Sequence, residues 1–492
     1  MSGERAMQTY ELLIGGDWTP GSGGAYGVVN PATEQVINEA PEATAADAEA
    51  AAQAARDALP AWKHTSPEER ANLLHALAEE TRKRTESLLP LIMAETGATL
   101  KVGSALQVPQ AVARFERYAK GALQDISVPL PPSIMPSTPL APGGVIGGHV
   151  LRQPVGVVAC ISPYNFPLVN MAGKVGPALA TGNTVVMKPA PQDPLAIIEL
   201  AEICQSVGFP PGVVNVVTGS KPEVGEALVD SKNVDMISFT GSTGVGVRIY
   251  EAGGKTMKRL LLELGGKGAC IVCDDADLQQ AIMGLVSVWG FHSGQICTAP
   301  TRAIVHRSIY DQLVGGLRAA APSLTIGPPE SEDTVVGPVI SAAHRDRVEH
   351  YIELGEKEGG DLVVDGRRPD GVERGYYVGP TLLTNCRNDM TAVREEIFGP
   401  VIVVVPFDDD DDEAVAIAND SDFGLYDYVF SQDTGRAFGI ARQLEAGHVG
   451  INTAQRNHEA PFGGFKMSGV GRDGGDFGLY AYTEIQSIIW PG

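Results

Sequence analysis

A cysteine does covalent chemistry only as a reachable thiolate, and one position in this chain has a neighbourhood suited to that. In Phe291-His292-Ser293-Gly294-Gln295-Ile296-Cys297-Thr298, Cys297 follows a glycine-bearing segment at the expected end of a helix. Free backbone N–H dipoles at such a place favour the thiolate and make the sulfur a nucleophile. On local grounds alone, a buried and inert cysteine is the competing reading. Glu263 stands in LLLELGGKG, inside an apolar strand beside a Gly-Gly turn. Desolvation there raises a carboxyl pKa toward general-base duty, unless a nearby Lys or Arg pairs with it. In Pro163-Tyr164-Asn165-Phe166-Pro167, Asn165 ends an apolar strand, where its amide could donate to a developing oxyanion. A turn residue or helix cap is the plainer alternative for Asn165.

A second group of residues suits phosphate and ribose. Phe239-Thr240-Gly241-Ser242-Thr243-Gly244-Val245-Gly246 follows the strand DMISF and opens a helix, so its small residues expose N–H donors at the positive helix end. The pattern is neither G-x-G-x-x-G nor a P-loop, since Val247 rather than Lys follows the last glycine. Met187-Lys188-Pro189-Ala190 ends another strand with a cation able to meet ribose or phosphate oxygens. Cys270 and Cys273 form a C-x-x-C with no second pair; on a strand they face opposite ways and read as core, not zinc ligands. The acidic run from Asp408 to Glu413 reads as a solvated helix start continuing through EAVAIAN.

The elements that must position these groups alternate. From residue 154, short apolar runs (VGVVACI, NTVVM, GVVNVV, DMISF) are separated by helical segments such as PLAIIELAEICQSVG. That alternation predicts an α/β fold with a parallel sheet, whose ligands sit beyond the carboxyl ends of the strands. A second set begins near Leu260, with ACIVC, RAIVH and VIVVVPF as strands and ADLQQAIMGLVSVWGF as a helix. Residues 44 to 98 read as paired helices, capped by Thr44 and by a capping box at Ser66-Pro67-Glu68-Glu69, separated at Pro60, with Leu73, Leu74 and Leu77 on one face. The proline-rich stretch 128 to 144 suits an arm, and YAYTEIQSIIW alternates like a strand able to pair with another subunit.

Composition bounds the partners. A chain of 492 residues with 43% hydrophobic and 20% charged residues, 58 glycines and 34 prolines is that of a globular α/β protein. Its length implies about three domains. A net charge of -23 opposes nucleic acid and anionic lipid, leaving small molecules and other protein chains. The beginning MSGERAMQTYELLIGGDW lacks a signal-peptide stretch, and no run of about 18 apolar residues occurs. Six scattered cysteines fit a reducing cytoplasm better than a disulfide framework.

Seven motifs in chain order, P-Y-N-F-P, G-N-T-V-V-M-K-P-A, F-T-G-S-T-x-V-G, L-E-L-G-G-K, G-Q-x-C, E-E-I-F-G-P and P-F-G-G-F-K-x-S-G-x-G-R, resemble those of the aldehyde dehydrogenase superfamily over essentially the whole chain. The resemblance implies a Rossmann-like NAD(P)-binding domain (1–127 and 152–263), a catalytic α/β domain (264–465) and a small β bridging and oligomerisation element (128–151 and 478–492) of a homodimer or homotetramer. It implies Cys297 as nucleophile, Glu263 as the base for the hydrolytic water, Asn165 with the Cys297 N–H as oxyanion hole, and Lys174 in a proton relay. It also implies a cofactor site of Ser162, Pro163, Lys188, Ala190, Gly241, Ser242, Leu264, Glu396 and Phe398, with NAD or NADP as oxidant. The implied product is a carboxylic acid released by water, because relatives that transfer the acyl group to coenzyme A generally lack the glutamate.

The chain departs from the family's pattern at four places. Pro191 stands three residues after Lys188, where many NAD-preferring members carry an acid. His292 replaces a frequent Asn, and Asp473 replaces a frequent Glu. Gly173 precedes Lys174, where semialdehyde and betaine aldehyde enzymes often carry Arg or Trp, so the tunnel is expected to be wider and to take a bulky apolar or aromatic aldehyde. Arg456 and His458, in the loop before Pro461-Phe462, leave an acidic semialdehyde as the alternative. A catalytically idle binding protein with the same fold is the further alternative.

Overall fold

The computed structural model describes residues 8–408 and 410–491. Residues 1–7 of the expected leader-free beginning, Asp409 of the acidic run and Gly492 of the expected oligomerisation element lie outside the described residues.

Two large sheets carry the molecule. In the first, five parallel strands run in the order Val214–Val216, Thr184–Lys188, Val157–Ile161, Met236–Thr240, Arg259–Glu263, flanked by antiparallel strands at both edges. Their side chains are buried almost without break, as expected of parallel strands covered by helices on both faces. Successive strands after Val157–Ile161 wind first to one side and then to the other. The winding therefore reverses between Val157–Ile161 and Met236–Thr240, which pair directly. A ligand crevice opens beyond the carboxyl ends of strands at such a reversal. Ser162 through Asn165 and Gly241 through Thr243 leave the sheet there.

The second sheet has seven strands, six of them parallel, with Ala269–Val272 between Arg302–His306 and Tyr426–Phe430. Cys270 packs into the core on one face and Cys273 into the core on the other, as their spacing predicts. The third sheet joins Val128–Met135, Gly144–Pro154 and Thr483–Pro491 in an antiparallel arm. Val128–Met135 is exposed along its whole length, and its prolines sit on an edge strand, where a missing N–H costs no ladder bond.

The helical expectations hold with three differences. Thr44 caps Ala45–Trp62, and the reciprocal box forms there, with the Asp47 carboxylate accepting from Thr44 N at 2.8 Å. Ser66 accepts from Glu69 N ahead of Pro67–Lys83. Pro60 does not separate these helices; it lies in the last turn of the first, where losing one N–H is tolerated. A third helix, Thr85–Thr96, follows and stops at left-handed Gly97. The terminal strand begins only at Thr483, because Gly475–Ala481 turns as a short helix that buries Leu479. Among the described residues no helix is long and apolar enough to cross a membrane.

Candidate active site

Cys297 is the one cysteine of six that is not buried. It does not sit at a simple helix end. After Leu278–Trp289 the backbone passes through His292, Ser293 and Gly294, all left-handed at φ 47°, 57° and 71°. Three such residues in a row cost energy that the surroundings must supply. Ser293 Oγ donates to Gly337 O at 2.7 Å, and Gln295 Oε1 accepts from Ile340 N at 3.0 Å while its Nε2 donates to His292 O at 3.2 Å. Gln295, quoted above only as part of a motif, thus holds the cysteine loop. At Gly294 a Cβ would lie 2.2 Å from Gly399 O, so no side chain fits.

Although Cys297 is partly exposed as a residue, its sulfur is enclosed, and this burial pushes the thiol up to about 12; Arg456 opposes this, while Glu396 and Glu263 add to it. Desolvation thus works against the thiolate that the backbone dipoles favour.

Glu263 ends its strand at the winding reversal and is 3% exposed. Among the described residues neither of its carboxylate oxygens accepts a hydrogen bond, and the alternative of a salt bridge finds no partner. Burial, and then Asp473, hold its pKa well above the ordinary carboxyl range, against Lys174, Arg472 and Arg456. The Gly-Gly turn after it has two close approaches. A Cβ on Gly265 would lie 2.4 Å from Glu396 Oε2, and one on Gly266 would lie 2.3 Å from Cys297 O. Gly266 N donates to Glu396 Oε1 at 2.9 Å.

Asn165 reaches the cysteine loop from the other side. Its Nδ2 donates to Gln295 O at 2.9 Å and its Oδ1 accepts from Phe166 N at 3.0 Å. One amide hydrogen thus remains for another acceptor. The turn reading of Asn165 is seen directly, since its side chain orders the turn into Pro167–Ala180. His292 is buried against Phe166, ring centroids 5.1 Å apart, and burial lowers its pKa to about 4.

Lys174, also buried, donates to Ser238 Oγ at 3.4 Å, and Ser238 Oγ lies 2.8 Å from the Tyr482 hydroxyl. Burial depresses its pKa, with Asp473 acting in the opposite direction. Asp473 itself accepts from Gly474 N at 2.6 Å and from Arg114 Nη1 at 3.3 Å.

Arg114 was not legible beforehand. It projects from Val108–Ala122 and occupies the space that Gly173 leaves, since a Cβ on Gly173 would fall 1.7 Å from its Nη1. The expected widening of the tunnel at Gly173 is accordingly corrected: an arginine from another helix fills it. Arg456 stacks on the Phe462 ring with its guanidinium carbon 4.0 Å from the centroid. It stays open to solvent, yet its charge acts on Cys297, Glu263 and Arg114.

The residues expected to hold a dinucleotide are placed as follows. Lys188 ends its strand 8% exposed, donates to Pro189 O at 3.0 Å and has its pKa lowered by burial to about 8. Ser162 Oγ is buried with no hydrogen-bond partner among the described residues. Pro163 and Ala190 follow the ends of these strands. Ser242 is the N-cap of Thr243–Gly253, whose first N–H groups have no intrahelical acceptor. Gly241 N donates to Glu263 O at 3.0 Å, and Leu264 packs against Gly246, where a Cβ would lie 2.4 Å from its methyl. Phe398, at φ 61°, stands edge-on to Tyr164 with centroids 6.0 Å apart, and its carbonyl lies 2.8 Å from His344 Nε2. An orphaned hydroxyl, a lysine with spare donors and an open helix N-terminus suit a phosphorylated ribose ligand.

The chain corresponds to known proteins over nearly its whole length. The structure superimposes on betaine aldehyde dehydrogenase from Staphylococcus aureus in complex with NAD+ at a TM-score of 0.92 and 35% identity, covering 98% of this chain and 95% of that one. The NAD+ complex of aldehyde dehydrogenase from Bacillus cereus gives a TM-score of 0.91 at 38% identity, covering 98% and 97%. A Bacillus subtilis relative assigned by name to the aldehyde dehydrogenases is 37% identical over 484 residues, 98% of this chain and 95% of its own. The model of the aldehyde dehydrogenase family matches residues 18–488, which include every residue of the crevice described above, and so the chain belongs to the aldehyde dehydrogenase family.

Proposed function

We propose that this NAD(P)-dependent aldehyde dehydrogenase oxidises its aldehyde through a covalent adduct on Cys297 and releases the acid by hydrolysis. The observation that carries this reading is the meeting of the one accessible cysteine, the hydrogen-bond-free Glu263 carboxyl and the Asn165 amide at the winding reversal. The first sheet serves as the cofactor domain, the second as the catalytic domain, and the arm with the last strand joins copies of the chain.

Cys297 gives its proton to water and its sulfur adds to the aldehyde carbon, turning the carbonyl oxygen into an alkoxide. The spare Asn165 N–H and the Cys297 backbone N–H stabilise that charge. A nicotinamide held in the crevice would take up the hydride from the same carbon, which is left as a thioester on Cys297. Glu263, once ionised, takes a proton from water as the water oxygen attacks the thioester. Collapse breaks the C–S bond, frees the acid and returns the sulfur. Lys188 and Glu396 would hold the ribose hydroxyls of the dinucleotide, Ser242 its pyrophosphate, and Phe398 would close the nicotinamide side. Ser162, Pro163, Ala190, Gly241 and Leu264 shape the remaining walls. Lys174 with Ser238 and Tyr482 offers a proton path from the buried Glu263.

The expectation of a bulky apolar or aromatic aldehyde rested on space at Gly173, and Arg114 takes that space away. The six free cysteines suit a reducing compartment, in keeping with a cytoplasmic enzyme.

Glu263→Gln tests the assignment. The variant should give a burst of NAD(P)H close to one per active site, followed by turnover reduced about a hundredfold or more. Unchanged steady-state turnover would remove Glu263 from hydrolysis.

A further inference from the structure

Beside Cys297 stands one arginine whose charge no described carboxylate pairs with. Arg456 makes no hydrogen bond or ion pair among the described residues; its one partner is the Phe462 ring. Arg114 approaches from the helix opposite and shares its charge with Asp473. His458 lies near both, and burial together with the two arginines keeps its pKa low. The acids in the vicinity are already committed. Asp473 holds Arg114, Glu459 holds Arg117 at 3.2 Å, and burial raises the Glu263 pKa well above the ordinary carboxyl range. An arginine in a cleft without a carboxylate partner is a binding site for one, since its planar fork matches two carboxylate oxygens.

Resting on the Cys297 reading, we propose that the physiological substrate is an aldehyde that also bears a carboxylate, bound by Arg456 with Arg114 while its carbonyl meets Cys297. Gly173 belongs to this site: any side chain there would displace the Arg114 guanidinium. The same two cations repel a trimethylammonium group. Substrate choice should therefore differ from that for which the Staphylococcus aureus neighbour is named.

The test compares succinate and glutarate semialdehydes with butanal, pentanal and betaine aldehyde, following NAD(P)H with both dinucleotides. One of the carboxylated aldehydes should exceed its uncharged counterpart in kcat/KM by about tenfold or more, and betaine aldehyde should rank last. In Arg456→Met the ratio of carboxylated to uncharged aldehyde should fall by about tenfold or more, chiefly through KM, with partial recovery in Arg456→Lys. Taking the ratio within one enzyme cancels any loss of folded protein. Equal rates for both aldehydes, or a ratio that Arg456→Met leaves intact, overturn the carboxylate site while leaving aldehyde oxidation standing. Absence of NAD(P)H from every aldehyde would instead remove the catalytic reading, and the carboxylate site with it.

Discussion

Gly266 lies so close under the Cys297 backbone that a Cβ on it would fall 2.3 Å from the Cys297 carbonyl oxygen. The obstacle is backbone, so it cannot swing aside as the end of a side chain would. Gly266 N also anchors Glu396 at 2.9 Å, and one displacement disturbs both the cysteine loop and the Glu396 carboxylate. Gly266→Ala should cost about 1–3 kcal/mol of stability by overpacking. A shift of the sulfur by about an ångström should lower kcat/KM about a hundredfold. Gly439→Ala is the control, since a Cβ there meets nothing within 4 Å in the helix Thr434–Ala441. Urea denaturation and steady-state rates on the pair decide the matter; equal behaviour would mean that the contact is relieved at no expense.

The protonation of Cys297 sets a pH dependence whose sign is fixed. A thiol held near about 12 is a thiolate only in small fraction at neutral pH, and that fraction grows tenfold for each pH unit below the pKa. Iodoacetamide should therefore modify Cys297 faster as pH rises, without a plateau between about pH 7 and about pH 9. Arg456 lowers the thiol pKa, so Arg456→Met should slow the reaction at any fixed pH in that range. Glu263 moves the same way, because a carboxyl with a raised pKa gains its basic form only as pH rises, and turnover should climb on the alkaline side. A modification rate that levels off near neutrality would mean a thiolate already formed in the resting enzyme.

What the sequence discloses and what it hides divide along a physical line. Short apolar runs ended by Asn165, Lys188, Gly241 and Glu263 announce strands, and the parallel sheet brings all four to its carboxyl edge. Periodicity suffices there because the strands are buried on both faces. The protonation of Cys297 was hidden, because it depends on how much protein surrounds the sulfur rather than on its neighbours in the chain. Arg114 was hidden for a related reason. Its helix Val108–Ala122 packs against Pro167–Ala180, and only that packing reveals that the missing side chain at Gly173 makes room for a guanidinium. Pro60 and the start of the last strand were misplaced by local rules that tertiary packing overrides, through a tolerated last-turn proline and through Leu479 seeking the core.

The arm offers the last prediction. Thr483–Pro491 pairs with Gly144–Pro154 along one edge and leaves its other edge without a partner strand among the described residues. Its residues Ile485, Ile488, Ile489 and Trp490 are 63%, 45%, 64% and 46% exposed. An open, apolar edge of this kind invites pairing with another chain, and in an isolated protomer it would be a liability. The chain should therefore elute as a dimer or tetramer at micromolar concentration, and Ile489→Glu should shift it toward smaller species by placing a charge in the interface. Asn165 and the cysteine loop are held by hydrogen bonds within one chain. Iodoacetamide should still modify Cys297 in the dissociated variant, with unchanged far-ultraviolet circular dichroism. A wild-type chain that sediments as a monomer would assign the exposed strand some other partner than a second copy.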